Sequence, residues 1–236
     1  MNEHPEPVRC TVEAGMVKLS HRVRGPRDGP PLVLLHALGE SAEDWDTVAP
    51  VLARKRRVYA VDLRGHGRSD WPGEYSLELM RDDVIGYLDA LGLDRADLIG
   101  HSLGGLVAYL VAQHRPGRVH RLVLEDVPVP RPRTPAVPVR PEGALSFDWE
   151  MVLAVRRQID SPDPEWWDLL GSITADVLVL GGGPRSHVPQ GGGTGVAEWP
   201  RRVPGARVAT LPVGHLIHRA DPHRFLEAVQ EFLAES

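Results

Sequence analysis

Cysteine is almost absent: Cys10 is the single one in 236 residues. One thiol closes no internal disulfide, and no Cys/His spacing resembles a zinc site, so a disulfide scaffold and a zinc module are both excluded. Cys10 reads as an ordinary strand residue. Long apolar runs are missing too. No stretch approaches the about 18 uninterrupted apolar residues of a membrane span. The leading Met1-Asn2-Glu3-His4-Pro5-Glu6-Pro7 has no basic region followed by an apolar one, so no signal peptide is expected. These absences predict a cytoplasmic protein that does not enter a membrane. Positive charge is not in excess either. Lys and Arg total 27 against 32 Asp and Glu, a formal net charge of −5. A nucleic-acid binder shows a basic stripe instead, and Arg54-Lys55-Arg56-Arg57 reads as a solvated helix end. The glycine triplets at 181–183 and 191–193 lack both the G-x-x-x-x-G-K pattern and a clear following helix, so neither reads as a phosphate loop.

Hydrophobic residues make up 42% of the chain, enough for one substantial core and one domain, at most two. Their order is informative. Strands are expected at 8–13 and 17–23, joined by Ala14-Gly15, and a wholly apolar strand at 32–35. Ser41 is placed to cap a helix reaching about 53. A strand at 58–61 ends at Asp62. Ser76 opens a helix with Leu77, Met80, Val84, Tyr87 and Leu88 on one face. Asp97-Leu98-Ile99 leads into Gly100, a helix covers 103–114, and strands follow at 122–124, 177–180 and 207–211. A last helix runs from about 222 to 233. Strands alternating with helices predict an α/β fold with a mostly parallel, doubly wound sheet of about eight strands.

Residues 127–176 break the alternation. Their first part is rich in proline, and their second holds two short helical patterns, about 148–158 and 164–170, with Trp149, Trp166 and Trp167. Long insertions in compact domains are usually functional. This one is expected to form a small lid over a core made of 1–126 and 177–236, at the carboxyl ends of the strands where such sheets bind ligands.

Gly100-His101-Ser102-Leu103-Gly104 is a G-x-S-x-G sequence with a strand before it and an apolar helix after it. A serine on so tight a strand-to-helix turn is forced outward, and the helix N-terminus sets backbone N–H groups beside it. Ser102 is therefore the candidate nucleophile. A serine hydroxyl needs a base, and histidine suits the task near neutral pH. Of eleven histidines, His215 follows the last strand in the turn Pro212-Val213-Gly214, on the same rim as Ser102. His218 is the competitor, expected to pack near the pocket floor.

Four segments together resemble the α/β-hydrolase superfamily, over essentially the whole chain: His36-Ala37-Leu38-Gly39, Asp62-Leu63-Arg64-Gly65-His66-Gly67-Arg68-Ser69, Gly100–Gly104 and Gly214-His215-Leu216-Ile217-His218. The resemblance implies an α/β-hydrolase fold with a serine nucleophile, and an oxyanion hole from the backbone N–H groups of Leu38 and Leu103. Ala37 stands where the family usually has glycine. Asp62 and Arg64 read as loop braces. The resemblance also places an acid after strand 177–180, but Gly181-Gly182-Gly183-Pro184-Arg185-Ser186-His187-Val188-Pro189 has no carboxylate. Some family members take the acid from the end of the preceding strand, here Leu124-Glu125-Asp126. Side chains alternate along a strand, so Glu125 and Asp126 cannot both face the histidine. Asp126 is the expected acid. Glu125, or no acid at all with water or Ser186 orienting the imidazole, are the alternatives.

The expected function is hydrolysis of a small, largely apolar ester or lactone through an acyl-enzyme, with Ser102, His215 and Asp126 catalytic. His36, Ala37, His101, Trp149 and Trp166 are expected to line the substrate site. No metal, organic cofactor, nucleic acid or membrane is expected to take part; the partner is a small molecule. The alternative is a non-hydrolytic ligand-binding protein, or a lyase or cyclase, on the same fold.

Overall fold

Short runs with few polar side chains form the middle of the sheet, because such runs are stable only where both faces are covered. In the computed structural model, which describes residues 6–191, 193 and 195–235, these are Pro31–Leu35 (β3), Ala96–His101 (β5) and Val119–Glu125 (β6). Around them lie Val8–Ala14 (β1), Val17–Arg24 (β2), Arg57–Val61 (β4), Asp176–Gly181 (β7) and Arg207–Thr210 (β8). The sheet order is β1-β2-β4-β3-β5-β6-β7-β8. β1 and β2 form an antiparallel hairpin and β2 is antiparallel to β4, while the pairs from β4 to β8 are parallel.

The helices are Ala49–Leu52 (α1), Leu77–Ala90 (α2), Leu103–His114 (α3), Trp149–Asp160 (α4), Pro164–Asp168 (α5), Trp199–Arg202 (α6), Ile217–Ala220 (α7) and Pro222–Ala234 (α8). Alternation along the strands builds two cores. Val33, Leu35 and Leu98 face α2 and α3 on one side. Leu32, Leu34 and Ile99 face Trp45, α1 and α8 on the other. The apolar face of α2 holds the five residues expected of it, and Ser76 caps it by accepting the N–H of Leu79 at 3.1 Å.

One expected helix is broken. Residues 42–47 form a 3₁₀ turn and only α1 continues beyond it. Pro50 has no N–H to donate, so one unbroken helix through it would lose a ladder bond. Ser41 does not cap; its hydroxyl donates to Glu43 Oε2 at 2.6 Å.

After β6 the chain leaves the sheet. Val127 and Val129 are buried, and the proline-rich stretch beyond them is mostly exposed, without helix or strand until α4. Met151 and Val155 of α4, Trp166 of α5 and Leu170 then pack into the same core as α3. No helix among the described residues is long and apolar enough to cross a membrane.

Candidate active site

Three turns meet at the carboxyl edge of the sheet. The first carries Ser102, between β5 and α3. Its backbone is at φ 50°, ψ −112°, a region that L-residues rarely adopt. Gly100 and Gly104 make this turn possible. A Cβ on Gly100 would overlap the carbonyl of Gly104, and one on Gly104 would overlap the carbonyl of Leu35. Ser102 N–H donates to the carbonyl of Glu125 at 3.1 Å, tying the turn to the end of β6.

The second turn begins where β6 ends. Asp126 is the other non-glycine residue at positive φ among the described residues, also at 50°. Its N–H donates to the carbonyl of Leu180 at 2.7 Å. Its buried carboxylate collects donors from three places: the N–H of Gly182 at 2.8 Å, the amide of Gln190 at 3.0 Å, and the hydroxyl of Ser186. Burial works against its charge, but these bonds and the one to His215 outweigh it and hold the carboxyl below its usual range. The residue standing where the sequence lacks an acid, Ser186, thus serves the acid that stands elsewhere.

The third turn carries His215, after β8. Gly214, at φ 99°, fastens it through an N–H bond to the carbonyl of Gly182 at 3.0 Å. His215 Nδ1 lies 2.8 Å from Asp126 Oδ2, and its side chain is 17% exposed, enough for its far edge to meet a ligand. No hydrogen bond joins Ser102 to His215 among the described residues. Such contacts are often open in unliganded enzymes and close on substrate.

Glu125 and His218 form a separate pair. Glu125 accepts the N–H of His218 at 2.9 Å and a bond from its Nδ1 at 2.8–2.9 Å, apart from the Asp126–His215 pair. His218 Nε2 lies 3.3 Å from Asp44, which also pairs with Arg219 and has His101 Nδ1 at 4.0 Å. The imidazole stacks on Trp45, with centroids 4.4 Å apart. Burial disfavours its charge, yet the two carboxylates prevail and push its pKa up to about 10. Asp44, His101 and His218 also have the reach to hold a cation. Arg219 and a protonated His218 already balance the charge of Asp44 and Glu125 there.

The loop of Ala37, Leu38 and Gly39 is braced by two neutral histidines. His36 donates from Nδ1 to the carbonyl of Ala37 at 2.8 Å and accepts the N–H of Leu63 at 3.0 Å. His66 accepts the N–H of Gly39 at 3.1 Å. Burial depresses both pKa values. Ala37 is not among the positive-φ residues, so its methyl strains nothing. The N–H groups of Leu38 and Leu103 have no acceptor among the described residues. Asp62 braces the next segment, accepting from Ala42 N–H at 2.7 Å and Arg9 at 3.0 Å, and Arg64 forks onto Asp83 with two 2.6 Å bonds.

The expected substrate contacts need correction. His36 and His101 are fully buried, and Ala37 nearly so. His101 points below the rim, because a strand residue next to Ser102 faces the opposite way. Its Nε2–H donates to the carbonyl of His215 at 2.9 Å, and burial lowers its pKa to about 4. Trp149 packs against the core. Of the five, Trp166 alone lines the cleft of about 250 Å³ nearest His215, together with Leu106, Tyr109, Ile159 and the segment Pro128 to Arg133. His187 forms its near wall, with its ring centroid 4.2 Å from that of His215. The lid segment and Trp166 were expected near the site, whereas no sequence signal marked Leu106 or Tyr109 as cleft residues.

A family model described as the alpha/beta hydrolase fold matches residues 30–164, more than half of the chain. The chain belongs to the α/β-hydrolase family. Among curated relatives of this hydrolase-family protein, a 2-hydroxymuconate semialdehyde hydrolase of Pseudomonas sp. is 42% identical over 41% of the chain and 36% of its own length. An sn-1-specific diacylglycerol lipase of Mus musculus is 28% identical over 87% of the chain and 81% of its own length. The chain spans about half or less of the first relatives it matches. Among solved structures, a hydrolase from Pseudomonas aeruginosa superposes with a TM-score of 0.74 at 26% identity, covering 97% of the chain and 98% of that structure. The enol-lactonase from Burkholderia xenovorans reaches 0.82 at 23% identity, covering 96% and 100%, a likeness of fold.

Proposed function

We propose that the protein is a serine hydrolase that cleaves a small, largely apolar ester or lactone through an acyl-enzyme. The observation that carries this is the His215–Asp126 bond at 2.8 Å beside a serine held at positive φ on a strand-to-helix turn. In this scheme Ser102 Oγ attacks the carbonyl carbon while His215 Nε2 takes its proton and then returns it to the leaving alcohol. Asp126 holds Nδ1–H and steadies the imidazolium. The N–H groups of Leu38 and Leu103 receive the oxyanion, and their lack of other acceptors supports that role. Water then attacks the acyl-Ser102 ester by the same route in reverse. The names of the relatives, a hydrolase and a lipase, support hydrolysis at a carbonyl. The segment 127–176 acts here as a lid whose Trp166 and proline-rich stretch wall the cleft.

A second reading, a non-hydrolytic binding protein or a lyase or cyclase on the same fold, is favoured by the unmade Ser102–His215 hydrogen bond. Labelling with a small fluorophosphonate, mapped by peptide mass spectrometry, separates the two. Rapid modification of Ser102 in the folded protein, lost in Ser102→Ala, is the expected result. An unlabelled Ser102 would overturn the hydrolase proposal.

A further inference from the structure

One positive charge in the cleft beside His215 has no carboxylate partner among the described residues. The walls are largely apolar, but two guanidinium groups interrupt them. Arg133 is paired with Asp160, and its charge is balanced. Arg131 has no carboxylate partner among the described residues. It is half-buried, with its Cζ 3.3 Å from the centroid of the Trp167 ring. Arg202 lies over the same ring at 3.9 Å, and Glu198 stands 3.7 Å from it. Contact with the ring restrains the Arg131 guanidinium, and partial burial removes some of the water that would screen it. A planar guanidinium so held suits a planar anion, which it grips with two parallel bonds.

The cleft approaches the reacting groups through one of its walls. His187 lines that wall, and its ring packs at a tilt against His215 with centroids 4.2 Å apart. The volume of about 250 Å³ falls below the about 300–1,000 Å³ of drug-sized pockets and suits a short chain.

We propose that Arg131 binds a carboxylate of the substrate, so that the true substrate is a short ester or lactone whose acyl part ends in a free carboxylate. This rests on the serine-hydrolase reading. A single unpaired guanidinium matches one negative charge, which favours a carboxylate over a phosphate dianion. The acyl-transfer step is unchanged, and the anion is a handle that orients the scissile carbonyl toward Ser102.

The test compares 4-nitrophenyl hydrogen glutarate with its methyl-capped counterpart, 4-nitrophenyl methyl glutarate, after subtraction of spontaneous hydrolysis. The readout is the ratio of kcat/KM for the carboxylate ester over the capped one. It should exceed one in the wild type and fall about ten- to hundredfold in Arg131→Gln. Arg131→Lys should keep part of it, since it retains charge but not the fork. A ratio that is the same in wild type and Arg131→Gln, or a wild-type preference for the capped ester, would overturn the proposal. Hydrolysis of the capped ester and fluorophosphonate labelling report on the serine independently. Calorimetric titration of glutarate into Ser102→Ala protein, with and without Arg131→Gln, reads the anion site without turnover. Binding weakened about tenfold by Arg131→Gln supports the site, and equal binding overturns it even if no ester is cleaved.

Discussion

Two histidine–carboxylate pairs lie back to back in this protein, built from adjacent acids and from histidines three residues apart. His215 and Asp126 meet at the rim; His218 and Glu125 meet inside. What separates them is one step of the chain. Glu125 is the last residue of β6, in register with Leu180, and points into the core with Trp45 and Phe225. Asp126 has left the strand at positive φ and turns its carboxylate toward the His215 loop. The inner histidine sits between two carboxylates and is fixed in its charged form. The outer one has a single carboxylate and an exposed edge that a ligand can reach. The same two residue types give a structural ion pair in one place and the makings of a general base in the other.

The largest effect should come from exchanging the outer acid. Asp126→Asn is expected to lower kcat on a 4-nitrophenyl ester by up to about 10⁴-fold, by favouring the wrong tautomer of His215. Glu125→Gln should stay within about tenfold of wild type on the same ester. A loss under tenfold for Asp126→Asn would remove it from the mechanism, and an equal loss for both would erase the distinction between the pairs.

Stability should reverse the ranking. Glu125→Gln leaves a buried imidazolium short of a counter-charge, and breaking such a pair costs about 3–5 kcal/mol. Asp126→Asn should cost less in urea unfolding, since its neighbour reaches solvent. A larger loss for Asp126→Asn would show that the rim pair holds the fold.

The inner pair should also leave a pH signature. The pKa of His218 rises from 6.5 to about 10 on folding, so the folded state binds its proton more tightly. That contribution is whole below about pH 6.5 and is lost as pH rises to about 10. The stability gap between wild type and His218→Gln should therefore shrink over that window. A gap independent of pH would mean that His218 is neutral in the fold.

The two pairs also mark what was legible beforehand. The apolar runs at 32–35, 122–124 and 177–180 read as buried parallel strands because few other structures bury both faces of so short a segment. Ser102 and His215 were legible from their turns, and alternation alone required that Glu125 and Asp126 face different ways. The misreadings have one cause. His36 and His101 stand next to the reacting segments in sequence, but neighbours along an extended chain point apart, so adjacency placed them at the site when they lie beneath it. The cleft was illegible for another reason. Its walls come from a proline-rich stretch without periodicity and from His187 in a loop, and only tertiary folding brings them together.

The smallest effect should fall on Ser186. Asp126 takes its hydrogen bonds from several loops, whereas Glu125 takes all of its own from His218. Ser186→Ala removes one of the donors that keep Asp126 ionised and leaves Gly182, Gln190 and His215 in place. One lost bond of this kind should lower kcat about three- to tenfold. The carboxyl of Asp126, depressed in the native protein, should move back toward its ordinary value, so that the variant loses activity at a less acidic pH only at the extreme acid end of the profile. A pH–rate profile of the variant checks both effects. A Ser186→Ala enzyme as impaired as Asp126→Asn would mean that the serine, rather than the shared set of donors, holds the outer acid in place. The contrast between a distributed rim network and a single inner partner would then fail.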